Sequence, residues 1–145
     1  MSFSIDANIL LYASNAASPH HESCRTFLTE AAAGPEILYL AWPIAMAYLR
    51  ISTQPRVFSA PLSHDEALGN LRNLVHRSNV RFLTEGRDFV ELYSEVTEEV
   101  TVRGNLVPDA HLATLLLQHG VRIFYTNDTD FLRFRFLEVR NPLDP

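Results

Sequence analysis

Hydrophobic positions along the chain form short apolar runs that alternate with longer stretches of helical period. The short runs predict strands at residues 3–5, 37–41, 80–83, 121–125 and 136–140. Spacing and end signals predict helices at residues 7–13, 18–34, 43–53, 63–76, 87–102 and 108–119. Alternating strands and helices favour an α/β protein, a three-layer α/β/α sandwich with a mostly parallel central sheet.

Three aspartates occupy special positions in this pattern. Asp6 follows the first strand, Asp128 follows the fourth strand, and Asp109 lies in the first turn of the last helix. Ligands of parallel sheets bind beyond the carboxyl ends of the strands, so we expect the three carboxylates to converge there. Taken singly, each aspartate also has a structural explanation as a helix cap, a partner of a helix N-terminus or an Asx turn.

Clustered carboxylates repel one another, so such a group is stable mainly when a cation neutralises it. Oxygen ligands suit Mg²⁺, with Mn²⁺ as the alternative. A bound ion of this kind lowers the pKa of a water and stabilises charge on a phosphate, which is the chemistry of phosphodiester hydrolysis. The sequence therefore predicts metal ligation by Asp6, Asp109 and Asp128.

Charge and composition remove several alternatives. The net charge is -5, all twelve basic residues are arginines, and no lysine occurs. A protein that coats nucleic acid by bulk electrostatics needs an excess of cations, so any RNA contact must be local. Phosphate loops, receiver domains and haloacid-dehalogenase-type phosphatases use a lysine, and all three are disfavoured. The histidines show no zinc-site spacing, and His111 is expected to point away from Asp109.

The size of the chain fits one domain over residues 1–145, of which 47% are hydrophobic. No apolar run reaches the roughly 18 residues of a membrane span, and the single Cys24 cannot form an internal disulfide. We therefore expect a cytoplasmic protein without a membrane segment. Aromatic residues such as Trp42 are interpreted as core or dimer contacts rather than as base-stacking groups.

The acidic motifs resemble those of the PIN-domain family over essentially the whole chain. The matching segments are Ser4-Ile5-Asp6-Ala7-Asn8-Ile9-Leu10, Asp109-Ala110-His111-Leu112-Ala113 and Thr126-Asn127-Asp128-Thr129-Asp130-Phe131. Two further segments, residues 49–58 and 104–107, are similar to one branch of VapC toxins. The resemblance implies a PIN-like fold and an endoribonuclease that cuts cellular RNA. It also implies inhibition by a VapB-type antitoxin and a homodimer.

One position departs from the family pattern. PIN domains usually carry a glutamate on the helix after the second strand, where this chain has Ala47. Asp130 either replaces the missing acid in catalysis or orients the loop that carries Asp128. The departure keeps open an alternative function, a degenerate PIN domain that binds RNA or an antitoxin without cleaving.

Three neighbouring residues are candidates for supporting roles. Asn8 and Thr126 lie beside the acids and either hold them in place or serve ordinary turn and cap functions. Arg50 either contacts RNA phosphates or pairs with surface acids.

Overall fold

The predicted strands pair into one five-stranded sheet. The computed structural model describes residues 1–144. The strands are β1 Ser2–Ile5, β2 Ile37–Ala41, β3 Val80–Leu83, β4 Ile123–Tyr125 and β5 Glu138–Arg140. Their order is β3-β2-β1-β4-β5, and every neighbouring pair is parallel. The sheet is thus fully parallel, whereas the sequence predicted a mostly parallel one.

The helices form two layers against this sheet. They are α1 Ala7–Ser14, α2 His21–Ala33, α3 Trp42–Ser52, α4 His64–Val75, α5 Phe89–Glu98, α6 Leu106–Gln118 and a 3-10 helix, Thr129–Arg133. Helix α1 contacts α2 and α3, α3 contacts α4, and α6 contacts both α5 and the 3-10 helix. The predicted α/β/α sandwich is therefore confirmed.

Local signals set two of the helix ends as predicted. The Ser63 hydroxyl accepts a hydrogen bond from the Glu66 backbone N–H at 3.1 Å, and the Glu66 carboxylate accepts one from the Ser63 N–H at 3.1 Å. This reciprocal capping box starts α4. Gly34 follows the last residue of α2 and ends that helix.

Other boundaries differ from the prediction because turns occupy the ends of the apolar stretches. Helix α2 begins later than Ser18, whose hydroxyl instead accepts from the His20 N–H at 3.1 Å and closes a preceding turn. Strand β4 begins two residues later than predicted, since the Val121 N–H donates to the Leu116 carbonyl at 2.9 Å. Strand β5 also begins two residues late, after a turn between Leu137 and Phe134.

The predicted bounds of the last two long helices also differ from those in the structure. Helix α5 is shorter than the predicted 87–102, since a turn from Gly86 to Phe89 precedes it and a loop follows it. That loop contains Gly104 in the left-handed region, with φ of 58°. Helix α6 starts at Leu106, two residues before the predicted start. Asp109 nevertheless lies in its first turn, as expected.

The hydrophobic core lies on both faces of the sheet. The fully buried side chains include Ile5, Leu38, Phe124 and Leu115. Cys24 forms no disulfide, as predicted, and its thiol is buried on α2. Within residues 1–144, no helix combines the length and the apolar character that crossing a membrane would require.

Candidate metal centre

The strand order creates a crevice between β1 and β4. The chain runs outward from β1 through β2 to β3 on one side, and from β4 to β5 on the other. Such a reversal of strand order is where open parallel sheets bind ligands. Ile5 pairs with Tyr125, and the Asp6 N–H donates to the Tyr125 carbonyl at 2.9 Å. Asp6 and Thr126 therefore leave the sheet side by side.

Thr126 connects the residues on both sides of this crevice. Its hydroxyl donates to Asp6 Oδ2 at 2.7 Å and accepts from the Asp128 backbone N–H at 2.9 Å. It also accepts a longer hydrogen bond, 3.4 Å, from Asn8 Nδ2. The side chain is buried, with 1% of its surface exposed. Thr126 thus fixes the first acid relative to the loop that carries the second.

Asp6 is held by hydrogen bonds at both carboxylate oxygens. Oδ1 accepts from the Ala7 N–H at 2.7 Å and caps α1, while Oδ2 accepts from Thr126. Burial raises the pKa of Asp6, the two hydrogen bonds oppose that rise, and the charge of Asp128 adds to it. The capping role of Asp6 and its position beside the other acids therefore coexist.

Three other carboxylates meet at the mouth of the crevice. Oxygen atoms of Asp109, Asp128 and Asp130 lie within 4.8 Å of one another. Burial, followed by the charges of Asp128, Asp6 and Asp130, raises the pKa of Asp109 to about 6. Asp6 is outside this group of three, although its charge acts on Asp109. We call Asp109, Asp128 and Asp130 the open cluster.

Asp130 joins the open cluster through its side chain. Its backbone N–H donates to Asp128 Oδ1 at 2.9 Å, which leaves the Asp130 carboxylate free of that contact. The carboxylate lies 3.8 Å from the Arg133 guanidinium, and both side chains are about half exposed. The main chain therefore supplies the orienting contact, and the side chain supplies charge. The sequence pattern did not indicate the 3-10 helix that creates this arrangement.

The donor set fits a hard divalent cation. All four acids offer oxygen ligands, which Mg²⁺ and Mn²⁺ prefer. Burial and, after it, repulsion by the neighbouring acids raise the pKa of Asp109, and a cation would favour the ionised form of this carboxyl. In addition, Asn8 Oδ1 is buried and accepts no hydrogen bond from the described part of the chain. An unpaired buried acceptor next to clustered acids suits a site that binds a hydrated ion.

The remaining candidates lie outside the cluster. Ala47 is half-buried on α3 and packs against the core, so it contributes no ligand. Arg50 is exposed near the end of α3, and its guanidinium has no ion pair with a carboxylate of residues 1–144. His111 Nε2 lies 2.6 Å from Glu85 Oε1, so the imidazole is hydrogen-bonded to Glu85 rather than to an acid of the open cluster.

Fold and site together define a three-layer α/β protein with an acidic centre at the reversal of strand order. The PIN domain model matches residues 4–137. The chain therefore belongs to the PIN domain family, and the predicted resemblance is confirmed.

Relatives of known name point to one branch of that family. Ribonuclease VapC48 of Mycobacterium tuberculosis is 39% identical over 142 residues, which are 98% of each protein. Ribonuclease VapC33 of the same species is 30% identical over 138 residues, covering 95% of this chain and 96% of that protein. The predicted similarity to VapC toxins is thus confirmed.

Solved structures share the fold at low sequence identity. VapBC2 of Rickettsia felis, bound to a DNA fragment from its promoter, superposes with a TM-score of 0.69 at 19% identity. The match covers 97% of this chain and 98% of that one. Mycobacterium tuberculosis VapC20, described as a Sarcin-Ricin loop cleaving toxin, gives 0.69 at 18% identity, with 95% and 98% coverage.

Proposed function

We propose that this chain is a divalent-metal-dependent endoribonuclease, the toxin of a toxin–antitoxin pair, folded as a single domain over residues 1–145. The observation that carries the proposal is the open cluster beside Asp6 at the reversal of strand order. The names of the relatives, which describe ribonucleases, support RNA as the substrate.

Four carboxylates divide the work in this proposal. Asp109 and Asp128, with Asp130 in place of the acid missing at Ala47, hold Mg²⁺, or Mn²⁺ as the alternative. Asp6 completes the negative field and also ligates the ion. When bound, such an ion supplies a water of lowered pKa and stabilises charge on the phosphate. Asn8 and Thr126 keep the acids in position.

The proposed partners follow from the family. Structures of the fold include toxin–antitoxin complexes, which supports a VapB-type antitoxin as the inhibitor of this chain. We also propose a homodimer and a cytoplasmic location, where cellular RNA is available as substrate.

Incubation with total RNA in Mg²⁺ or Mn²⁺ tests the activity. We expect metal-dependent cleavage by the intact chain and a loss of about 1,000-fold in Asp109→Asn, since ion-based stabilisation is worth several kcal/mol. Asp65→Asn is the matched control, because Asp65 is an exposed acid in the first turn of another helix. Equal cleavage by Asp109→Asn and the intact chain would refute the site.

Ala47 favours a second candidate, a PIN domain that binds RNA or an antitoxin without cleaving it. Fewer acidic ligands weaken metal affinity. Expression without a partner separates the two functions. If the chain is a nuclease, its expression should arrest growth, and the arrest should depend on Asp6. If it only binds RNA, total RNA incubated with the protein in Mn²⁺ should stay intact.

A further inference from the structure

Helix α3 presents three exposed side chains along one line. Trp42 is 46% exposed and Met46 is 50% exposed, and Arg50 is exposed as well. They are spaced four residues apart, so they lie on one side of the helix. We call these three residues the α3 stripe. The sequence had assigned Trp42 to the core or to a dimer contact, and the structure leaves it outside the core.

One face of the Trp42 ring is covered by another aromatic ring of the protein. It stacks on Phe82 of β3 with ring centroids 3.8 Å apart and an angle of 16° between the planes. Phe82 in turn packs against the hydrophobic core. Since Phe82 covers one face of the indole, the exposed surface of Trp42 lies away from the core. Because the Trp42 ring is already held in one orientation, it loses little side-chain conformational entropy when another ring stacks on its exposed surface.

The start of the stripe lies close to the acidic centre. Helix α3 begins directly after β2, and β2 pairs with β1. Ser4 pairs with Tyr39, and two residues further along each strand this register aligns Asp6 with Ala41, the residue before Trp42. With strands about 5 Å apart, the backbones of Trp42 and Asp6 lie within roughly 10 Å of each other, while the Trp42 ring extends toward Phe82 on β3, on the far side of β2 from Asp6.

Arg50 adds a cation to the same side of the helix. It has no ion pair with a carboxylate of the described chain, so its charge is available to a ligand. The protein as a whole carries a net charge of -5 and cannot hold RNA through bulk electrostatics. Proteins that bind single strands combine aromatic stacking with local cations.

We propose that the α3 stripe binds single-stranded RNA next to the acidic centre, with a base stacked on Trp42 and a phosphate paired with Arg50. The proposal rests on the ribonuclease function above and identifies a substrate contact for it. A second copy of the chain is the competing occupant, since Trp42 and Met46 are apolar. The exposed charge of Arg50, and the start of α3 at the same edge of the sheet as Asp6, favour RNA.

Trp42 is the only tryptophan of the chain, so its emission reports directly on this surface. The probe is a single-stranded oligouridine of about 12 nucleotides, within the usual range of binding-site sizes. The full chain carries Asp109→Asn to prevent cleavage. We expect saturable quenching of the emission as the oligonucleotide is added, at a protein concentration where the emission alone does not change on dilution.

Variants separate the contributions of the two residues. Trp42→Leu should weaken RNA affinity roughly 5- to 150-fold, measured by anisotropy of a labelled oligonucleotide, and Trp42→Phe should restore most of it. Arg50→Gln should lower the magnitude of the slope of log affinity against log salt by about 0.7, the value for one phosphate contact to a single strand. Val90→Ala, at a valine that is 72% exposed outside α3, is the matched control and should bind as the parent does.

Two outcomes would overturn the proposal. One is unchanged RNA affinity in Trp42→Leu. The other is an emission shift that follows protein concentration alone, which would assign the stripe to a second copy. Failure of the ribonuclease function is recognised separately. Trp42-dependent RNA binding without metal-dependent cleavage would refute the proposed activity and still support this RNA surface.

Discussion

The carboxylate of Asp6 and the carboxylates of the open cluster have different surroundings. Asp6 is partly buried, and its two carboxylate oxygens accept hydrogen bonds from neutral donors, the Ala7 N–H and the Thr126 hydroxyl. In the open cluster, acids face acids within 4.8 Å, and the pKa of Asp109 rises to about 6. Burial raises the pKa of Asp6 in spite of its two hydrogen bonds, whereas burial and the neighbouring acids together raise the pKa of Asp109.

This comparison distinguishes two contributions to the site: the fixed geometry of Asp6 and the negative charge of the open cluster. Hydrogen bonds that hold Asp6 remain whether or not an ion is bound, so this acid defines the position of the site. In the open cluster, burial and then the neighbouring acids raise the pKa of Asp109, and a bound cation would offset both effects. Substitution of Asp6 should therefore disturb the hydrogen bonds of the site, whereas substitution in the open cluster should change mainly its charge.

The largest effect is expected for Asp6→Asn. An amide at residue 6 would donate to the Thr126 hydroxyl, which already accepts from Asp128 and Asn8. We expect both the hydrogen-bond network and metal binding to be lost, with cleavage reduced by about 1,000-fold or more. Initial rates on labelled RNA in Mn²⁺ measure this loss.

Asp130→Asn provides the contrast on the open side. The backbone hydrogen bond from residue 130 to Asp128 survives this change, so only charge is removed. We expect the metal-free protein to be no less stable, because a repelling charge is removed, and Mn²⁺ affinity, measured by calorimetry, to fall about 100-fold. Unchanged affinity in Asp130→Asn would show that Asp130 does not replace the acid missing at Ala47.

A smaller effect on the ion is expected when Thr126 loses its hydroxyl. Thr126→Val removes the link between Asp6 and the Asp128 loop. Loss of such a hydrogen-bond partner lowers metal affinity by about 10- to 100-fold, and we expect Thr126→Val to fall at the lower end, about tenfold. The unpaired groups also cost about 1–3 kcal/mol in the free energy of unfolding. Thr126→Ser keeps the hydroxyl, and only a metal affinity restored by serine is consistent with a positioning role.

The smallest effect concerns stability without metal. A carboxyl whose folded pKa is raised contributes stability below its unfolded pKa and loses it as pH rises through the folded value. For Asp109 that window runs from about 3.8 to about 6. Asp109→Asn should therefore unfold at the same temperature as the intact chain near pH 4 and a few degrees higher at pH 7. Solvent screening limits the gain to about 1 kcal/mol.

Calorimetry in a chelator at several pH values measures this difference. Asp65→Asn is again the control, since Asp65 is exposed in the first turn of α4 and should show no such pH-dependent gain. Added Mn²⁺ should raise the unfolding temperature of the intact chain and not that of Asp109→Asn. A pH-independent difference would contradict the raised pKa of Asp109.

Local sequence determined the elements and the edge of the sheet at which the acids lie. Apolar runs and helical spacing depend on neighbours only a few residues apart, so they predicted all five strands and the placement of Asp6, Asp109 and Asp128. Ends were less accurate wherever a turn used the same apolar residues, as at Val121 and Ser18.

Tertiary structure decided how the acids are used. The hydrogen bond from Thr126 to Asp6 joins residues 120 positions apart, and it exists because β4 pairs with β1. No local pattern specifies that pairing. The same packing brings the Asp130 carboxylate into the open cluster and leaves Trp42 exposed on Phe82. The residue types and their spacing are local properties, whereas the partner of each side chain depends on the order of the strands.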